Sequence, residues 1–359
     1  MQTDSKKITN LELANHYAFL RMMNFNKKYP ETKEIYRAMQ QWQLQNKPTD
    51  GVYYPSTQLS QIAPKILVHH MTHHLPNGGY DDMSSYYWGL HIFGAWRNTL
   101  GIYRFDDKLF TEVYNALIPD DTPSTIFSRL PEWCVYIDFP KATVETHNSE
   151  ETNPCEGFWA VYDRQPYNGR LRTVLSLFLN YPSKLLGTSE HLKPYHIVID
   201  DNLTVKESLI GMLSQTTYQT DDFLASRVAA TNDANLHELI RFMLSLLLWL
   251  CAEEPDITNR AGEPVGKGQL RKPKYGINKR TGSFITPNLP VIYELGKRMG
   301  GEIRQMNERL AQIDAQGKGT GSRKRPHIRR GHWHGVWTGT GQDKHYKLNW
   351  IKPIFVNAD

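Results

Sequence analysis

The chain has 359 residues, of which 40% are hydrophobic and 22% are charged, the balance of a soluble globular protein that can bury a sizeable core. Its three cysteines form no Cys-x-x-Cys pair, which argues against a disulfide framework or a structural zinc site and fits a reducing cytosol. The formal net charge of +5 is unevenly spread, because Arg260 to Arg330 carries seventeen Lys or Arg and five Asp or Glu. Such a segment is typical of a basic face for nucleic acid or an acidic partner, or of a solvated surface.

No segment of the chain predicts targeting or membrane insertion. The first ten residues contain no apolar run of the kind that a signal peptide needs. The most apolar stretch, Leu239 to Ala252, has only ~14 residues and includes Arg241, so it is too short to cross a bilayer. We therefore expect a cytoplasmic protein without a membrane partner.

The first third of the chain favours helices. Thr9 or Asn10 can cap a first helix, and Thr32 a second. Tyr86 to Arg97 and Asp106 to Ile118 are predicted to form a helical pair, with the residues between them as a linker. Residues 1–122 are thus expected to be a mainly helical N-terminal region.

Strand-forming segments follow. Trp133 to Phe139, Gly157 to Arg164, Leu171 to Tyr181 and Tyr195 to Ile199 predict an antiparallel sheet of about four strands. Lys141 to Glu156 is polar and predicts a loop. The expected fold class is α+β: a helical N-terminal part, then a mainly antiparallel sheet packed with helices and a C-terminal basic β-hairpin, the whole of 123–359 forming the second region.

Helices and a basic loop precede that hairpin. Thr204 to Ser214 predicts a short helix and Asn235 to Ala252 a long buried one. Residues 253–284 are rich in Gly, Pro, Lys and Arg and predict an exposed loop. A further helix is expected to open at Pro290, with an apolar stripe running from Ile292 to Leu310.

Residues 323–356 interleave cations, histidines and tryptophans. Gly339 to Gly341 can form a turn between two strands, the first including Trp333 to Thr338 and the second Tyr346 to Ile351. Side chains alternate along a strand, so His332 and His334 are expected on one face and Trp333 on the other.

Three functions compete for this hairpin. A metal site would use His332 and His334, but no further ligand is evident. A ribonuclease site would use the same two histidines as acid and base beside Arg330. A nucleic-acid-binding surface, in which cations meet phosphates and aromatic rings stack, needs the fewest assumptions, and a plain hairpin with its tryptophans in the core is its structural alternative. The predicted nucleic-acid-binding residues are Arg323, Lys324, Arg325, Arg329, Arg330, Trp333, Trp337, Lys344 and Lys347.

No other motif predicts catalysis or a cofactor. The phosphate-binding pattern G-x-x-x-x-G-K-[ST] and the nucleophile pattern G-x-S-x-G are both absent from the sequence. The histidine run from His69 to His74 lacks a neighbouring carboxylate or cysteine, so solvated histidines near a helix end are favoured over a metal site. We therefore predict no catalytic residue, metal or cofactor.

Several strings also resemble a known family. They are A-W-R-N-T-L-G-I-Y-R-F-D (Ala95 to Asp106), L-P-E-W-C-V-Y-I (Leu130 to Ile137), R-P-H-I-R-R-G-H-W-H-G-V-W-T-G (Arg325 to Gly339) and the closing W-I-K-P-I-F-V-N. With them the chain resembles a family carried on plasmids and other mobile elements of proteobacteria, which includes an anti-CRISPR protein acting against type V-A systems. The resemblance covers the chain from about Tyr86 onwards.

The resemblance implies a function based on binding. The anti-CRISPR member lowers synthesis of the type V-A effector nuclease by recognising its N-terminal polypeptide during translation, after which the mRNA is lost. The implied partner is the nascent effector peptide, with mRNA or the ribosome as further candidates, in the cytoplasm of a bacterial host. An exposed sheet edge suits an extended peptide. A toxin-like ribonuclease and a nucleic-acid-binding factor of a mobile element stay open as alternatives.

Overall fold

The structure is a computed structural model of the whole chain, and it describes residues 9–62, 80–140, 145–148, 151–167, 169–181, 192–216, 234–270, 280, 286–315 and 326–356. Arg323, Lys324, Arg325, the run from His69 to His74, and residues 271–279 and 281–284 of the predicted basic loop lie outside these ranges. No helix within them is both long enough and apolar enough to span a membrane.

The helices of the described residues fall in the N-terminal part, in the middle of the chain and before the C-terminal strands. They are α1 (Asn10–Ala14), α2 (Tyr17–Lys28), α3 (Thr32–Asn46), α4 (Leu59–Ile62), α5 (Tyr80–Trp96), α6 (Asp107–Tyr114), α7 (Val205–Thr216), α8 (Ala234–Cys251) and α9 (Lys297–Ala315). Thr9 caps α1 in a capping box with Glu12, as the sequence predicts.

Within the described ranges the strands form one large sheet and three two-stranded sheets. They are β1 (Gly101–Phe105), β2 (Cys134–Asp138), β3 (Glu145–Asn148), β4 (Glu151–Pro154), β5 (Gly157–Tyr167), β6 (Arg170–Asn180), β7 (Tyr195–Val198), β8 (Ile257–Thr258), β9 (Val291–Leu295), β10 (His327–Arg329), β11 (His332–Thr338), β12 (His345–Ile351) and β13 (Ile354–Val356). The large sheet has the order β7-β6-β5-β2-β1-β9-β8, and the small ones pair β3 with β4, β10 with β13 and β11 with β12. The α+β class is confirmed.

Five local predictions are wrong. The exposed loop predicted for 253–284 contains β8, which pairs with β9 and has Ile257 buried. Thr32 is the first residue of α3 and does not cap it.

The predicted linker after Thr99 contains β1, which pairs in parallel with β2. The helix predicted to open at Pro290 is β9 in its first part, and α9 begins only at Lys297. The predicted loop from Lys141 to Glu156 contains the antiparallel pair β3–β4. The large sheet therefore has seven strands instead of the four expected, and it is not wholly antiparallel.

The chain divides into two compact units, each assembled from three segments. The first unit comprises Met1–Arg104, Leu130–Asp200 and Val265–Tyr293, and the second comprises Phe105–Arg129, Asp201–Pro264 and Glu294–Asp359. These units are defined by contacts within the fold and not by sequence regions, so the division into 1–122 and 123–359 stays a prediction.

The first unit has an aromatic core. The ring of Trp159 lies 4.8 Å from that of Tyr136 and 6.1 Å from that of Trp96. The indole N–H of Trp96 donates to the carbonyl oxygen of Gly101 at 3.0 Å. Rings this large bury much apolar surface, so they dominate the stability of such a core.

The second unit is built around α8, whose residues from Phe242 to Cys251 are all buried. Its Trp249 ring meets the ring of Phe105 at 6.2 Å. Nearby, Asp106 caps α6 and accepts two hydrogen bonds from Arg304 of α9, at 3.0 and 2.9 Å. These contacts fix α6, α8 and α9 as the support for the C-terminal strands of this unit.

All three cysteines are free and buried. Burial raises the pKa of Cys155 to about 12, although its thiol donates to the carbonyl oxygens of Gly157 and Asn180. Burial also raises the pKa of Cys134, and nearby Glu132 adds to the effect. A thiol must ionise to react, so these two side chains are inert.

Candidate nucleic-acid interface

The C-terminal hairpin consists of β11 and β12 and has two chemically different faces. Its antiparallel register pairs Trp333 with Trp350 and His334 with Asn349. Because directly opposed residues share a face, the inner face carries Trp333, Gly335, Trp337, Tyr346, Leu348 and Trp350. The outer face carries His332, His334, Val336, Thr338, His345, Lys347, Asn349 and Ile351. The predicted strands and the predicted alternation of His332 and His334 with Trp333 are present.

Aromatic rings anchor the inner face in the second unit. Trp333 is 4% exposed, and its ring lies 4.9 Å from that of Trp350 and 6.1 Å from that of Trp249. The indole N–H of Trp333 donates to the hydroxyl of Ser245 at 2.9 Å. Trp333 is therefore a core residue, and we leave it out of the candidate interface.

Tyr346 fixes the other end of the inner face. Its hydroxyl lies 3.1 Å from that of Thr122 and 3.3 Å from a carboxylate oxygen of Asp121, and burial raises the pKa of Tyr346. A Cβ at Gly335 would overlap this hydroxyl, so the glycine leaves room for the Tyr346 side chain. Arg129 donates to the carbonyl oxygen of Tyr346, which ties the backbone of β12 to the same unit.

The outer face is polar and open to solvent. His334, His345, Lys347 and Ile351 are exposed, while His332 is half-buried. The ring of His345 lies 2.8 Å from the Thr338 hydroxyl, which holds it across the two strands. Since the inner face is buried in the second unit, this outer face is the one that a partner can reach.

Further cations flank the hairpin. Arg329 ends β10, Arg330 follows it, and Lys344 precedes β12, and all three are exposed. In contrast, Lys352 pairs with Glu302 at 2.9 Å. Among the described residues, Arg329, Arg330, Lys344 and Lys347 form no ion pair and no side-chain hydrogen bond.

We find no support for a catalytic or metal site at the hairpin among the described residues. They contain no group of three or more His, Cys, Asp or Glu side chains that would hold a metal ion. His332 and His334 share a face, but neither ring has a hydrogen-bond partner within the described ranges. A histidine acting as acid or base is usually oriented by such a partner.

Sequence reasoning missed part of the outer face. His345 and Asn349 were not among the predicted residues, although the register places them opposite Thr338 and His334. The alternation of Tyr346, Leu348 and Trp350 contained the signal, because it leaves the residues between them on the opposite face. Trp337 is 49% exposed although it belongs to the aromatic face.

The first unit holds a buried carboxylate that no sequence pattern revealed. Asp163 is fully buried and accepts hydrogen bonds from the backbone N–H groups of Ser56 and Arg164 at 2.8 and 2.7 Å. It also accepts from the Ser56 hydroxyl at 2.5 Å and from the Gln165 amide at 2.7 Å. The Nε2 atom of His91 lies 3.7 Å from this carboxylate. These four hydrogen bonds compensate the Asp163 carboxylate for the water it loses on burial.

Two histidines near Asp163 are held neutral. Burial lowers the pKa of His91, and the Asp163 carboxylate opposes that effect only in part. Burial lowers the pKa of His196 to about 4, with Asp163 again opposing and His91 adding to the shift. The Nδ1 atom of His196 lies 2.8 Å from the Ser176 hydroxyl.

A second buried carboxylate of the first unit ends β2. Asp138 accepts from the Arg104 guanidinium at 2.6 Å and from the Tyr17 hydroxyl, and the Nε2 atom of His16 lies 3.4 Å away. Burial opposes ionisation of Asp138, but these three groups together keep its pKa below the ordinary value. Like Asp163, it is satisfied within the fold.

Comparison with known families defines the class, which is that of anti-CRISPR proteins of type V. The model of the AcrVA2-like family, the anti-CRISPR type V subtype A2 family, matches residues 103–358. The chain belongs to this family. Its fold is also similar to that of the crystal structure of AcrVA2, with a TM-score of 0.71 and 34% sequence identity over 95% of this chain and 99% of that one. No curated protein matches the chain.

Proposed function

We propose that this anti-CRISPR protein lowers the synthesis of a type V-A effector nuclease by recognising the nascent N-terminal polypeptide of that nuclease, with loss of the encoding mRNA. The observation that carries the proposal is membership of the anti-CRISPR type V subtype A2 family, supported by the likeness to the AcrVA2 structure over nearly the whole chain. Inhibition during synthesis is what the resemblance of the sequence strings implies.

The large sheet offers a place for an extended peptide. Strand β7 ends the strand order, and its Tyr195 and His196 are only half-buried. A peptide that adds to the edge of a sheet gains main-chain hydrogen bonds, while alternate side chains give specificity. Strand addition at β7 is therefore the mode of peptide recognition that we favour.

The proposal is tested with reporters that separate peptide from RNA. The first codons of an effector gene are fused to a fluorescent protein, and protein and mRNA are measured with and without this chain. One reporter is recoded with synonymous codons, which keeps the peptide. Another carries a compensated frameshift, which keeps nearly all of the RNA sequence but changes the peptide.

We expect both the original and the recoded reporter to lose protein and mRNA, and the frameshifted reporter to keep them. Loss in the frameshifted reporter and not in the recoded one would show that RNA sequence is read instead of the peptide. Unchanged mRNA together with inhibition of the finished nuclease would replace the proposal with direct inhibition.

A further inference from the structure

The cations at the hairpin differ from most arginines of the described chain in having no partner. Arg129 and Arg241, in the same unit, each hold a carboxylate and a backbone carbonyl oxygen. Arg329, Arg330 and Lys347 are exposed and hold neither. A positive charge that nothing in the fold satisfies is available to an external anion.

The hairpin region carries more positive than negative charge. Between Pro326 and Val356 the chain has five Lys or Arg and a single carboxylate, Asp343. Three further carboxylates contact this segment: Glu112 at the backbone N–H of Gly331, Glu302 at Lys352 and Asp121 at the Tyr346 hydroxyl. None of them pairs with Arg329, Arg330 or Lys347, so these cations can meet a polyanion along one surface.

The dimensions suit an extended strand. β11 and β12 each have seven residues, so the outer face is about 20 Å long. His334, Lys347 and Asn349 offer side-chain nitrogens along it, and Arg329 and Arg330 lie before its first residue. The backbone of an extended polyanion that follows this face would contact charged or polar side chains along the length of the hairpin.

One aromatic ring of the hairpin is also exposed. Trp337 belongs to the inner face, yet it is 49% exposed, and its ring lies 5.2 Å from that of Tyr346. The sheet of β11 and β12 is only two strands wide, so a base that reaches past its edge can stack on this indole. An acidic protein partner would use the cations and leave the indole unexplained, so nucleic acid is favoured.

We propose that the outer face of the hairpin, together with the flanking Arg329, Arg330 and Lys344, binds the phosphate backbone of single-stranded RNA without sequence preference, while Trp337 stacks on a base that reaches past the edge of the hairpin. The choice of RNA over single-stranded DNA rests on the proposed function, in which an mRNA is lost. The binding surface itself rests only on the charges, the exposure and the register described above.

The test is a titration of the full-length protein against a fluorescein-labelled, unstructured single-stranded RNA of about 16 nucleotides, repeated at several salt concentrations. The hairpin variant is Arg329→Ala with Arg330→Ala and Lys347→Ala. Its matched control removes three exposed cations of the first unit, Lys33, Arg37 and Arg170. Thermal unfolding confirms that both variants fold.

The hairpin variant is expected to lose about tenfold or more in affinity and to lower the slope of log K against log salt by about 2, while the control keeps both values. Trp337→Ala is expected to weaken binding about fivefold or more, and Trp337→Phe to restore most of it, because both rings stack.

Three results would overturn the inference: no binding of RNA by the wild-type protein, an equal loss in both triple variants, or stronger competition by polyglutamate than by unlabelled RNA. The last result would identify an acidic polypeptide as the partner. The titration measures the surface alone and the reporters measure peptide recognition alone, so either idea can fail without the other.

Discussion

Charged groups have different roles in the interior of the first unit and on the C-terminal hairpin of the second unit. In the interior, Asp163 and Asp138 are buried, and each accepts hydrogen bonds from neighbouring groups of the fold. On the hairpin, Arg329, Arg330 and Lys347 point outward and hold nothing among the described residues. The first arrangement defines the fold, and the second leaves charge available for a partner.

The comparison shows how to separate stabilising polar groups from binding groups in this chain. Removing an internal partner leaves a buried group without its hydrogen bond, which strongly lowers the free energy of unfolding. Removing an exposed, unpaired cation leaves nothing unsatisfied and should affect only binding. The following predictions test this distinction, beginning with the largest expected effect.

Trp333→Ala should lower the free energy of unfolding by about 3–5 kcal/mol, because the buried ring packs against two other indoles and its removal leaves a cavity. Urea denaturation followed by circular dichroism measures the change. Trp337→Ala on the same strand is the control, since half of that ring is already in water, and it should cost about 1 kcal/mol or less. Equal losses in the two variants would contradict the assignment of Trp333 to the core.

Asp163→Asn should lower the free energy of unfolding by about 3 kcal/mol, because one of its polar atoms becomes a donor facing the donors of Ser56 and Gln165. The matched control is Asp120→Asn, whose exposed pair with Lys206 should contribute within about 0.5 kcal/mol. A neutral outcome for Asp163→Asn in urea denaturation would show that the buried network is not stabilising.

Acid should destabilise the first unit through His196. The folded pKa of His196 is about 4, below the ordinary value near 6.5 for an unfolded chain, so the unfolded state takes up the proton first. The contribution of His196 to stability should therefore fall as pH drops from about 6.5 towards 4, by about 3 kcal/mol at most, and this contribution should level off below. His196→Gln should flatten this part of the curve in pH-dependent thermal unfolding. An unchanged slope would assign the effect to another group.

Lys347→Ala should have the smallest effect on stability, within about 0.5 kcal/mol, because an exposed cation without a partner contributes little to folding. Thermal unfolding measures the change, with Lys33→Ala in the first unit as a matched exposed control. A loss comparable to that of Asp163→Asn would mean that the outer face is part of the fold and not a surface for a partner.

The hairpin was predictable from sequence because one of its faces is buried and the other is not. Trp333 alternates with His332 and His334, and Tyr346 with Lys347, so the period of two is visible in the printed residues. What the alternation does not tell is which face is inside. From the sequence alone, Trp333 could stack on a base or lie in the core. Its contact with Trp249 in the structure shows that it lies in the core.

The central strands were not predictable in the same way. β1 lies between two other strands and is buried on nearly all sides, so it shows no alternation. The sequence predicts a helix across β9 because Ile292 and Leu295 follow a helical spacing with Met299 of α9. Gly296, whose φ is +68°, separates the strand from α9, and a left-handed backbone angle at one glycine is not visible in a sequence.

Some residues of the candidate interface can be predicted from the sequence, whereas others are placed there only by the pairing of β11 with β12. The exposed cations were predicted by residue type. The partners across the strands, such as Asn349 opposite His334, depend on the pairing of β11 with β12, which is set by the turn and the buried aromatic face. The buried carboxylates depend on contacts between residues as distant in sequence as Ser56 and Asp163, and no local pattern encodes those.

The buried cysteines make this protein convenient to label. All three native thiols are enclosed, and two of them have raised pKa values, so alkylating dyes have little to react with. A cysteine introduced on the outer face, as in Lys344→Cys, would be the preferred target for a maleimide fluorophore. The fluorescence of a dye at that position would change when a partner binds to the hairpin.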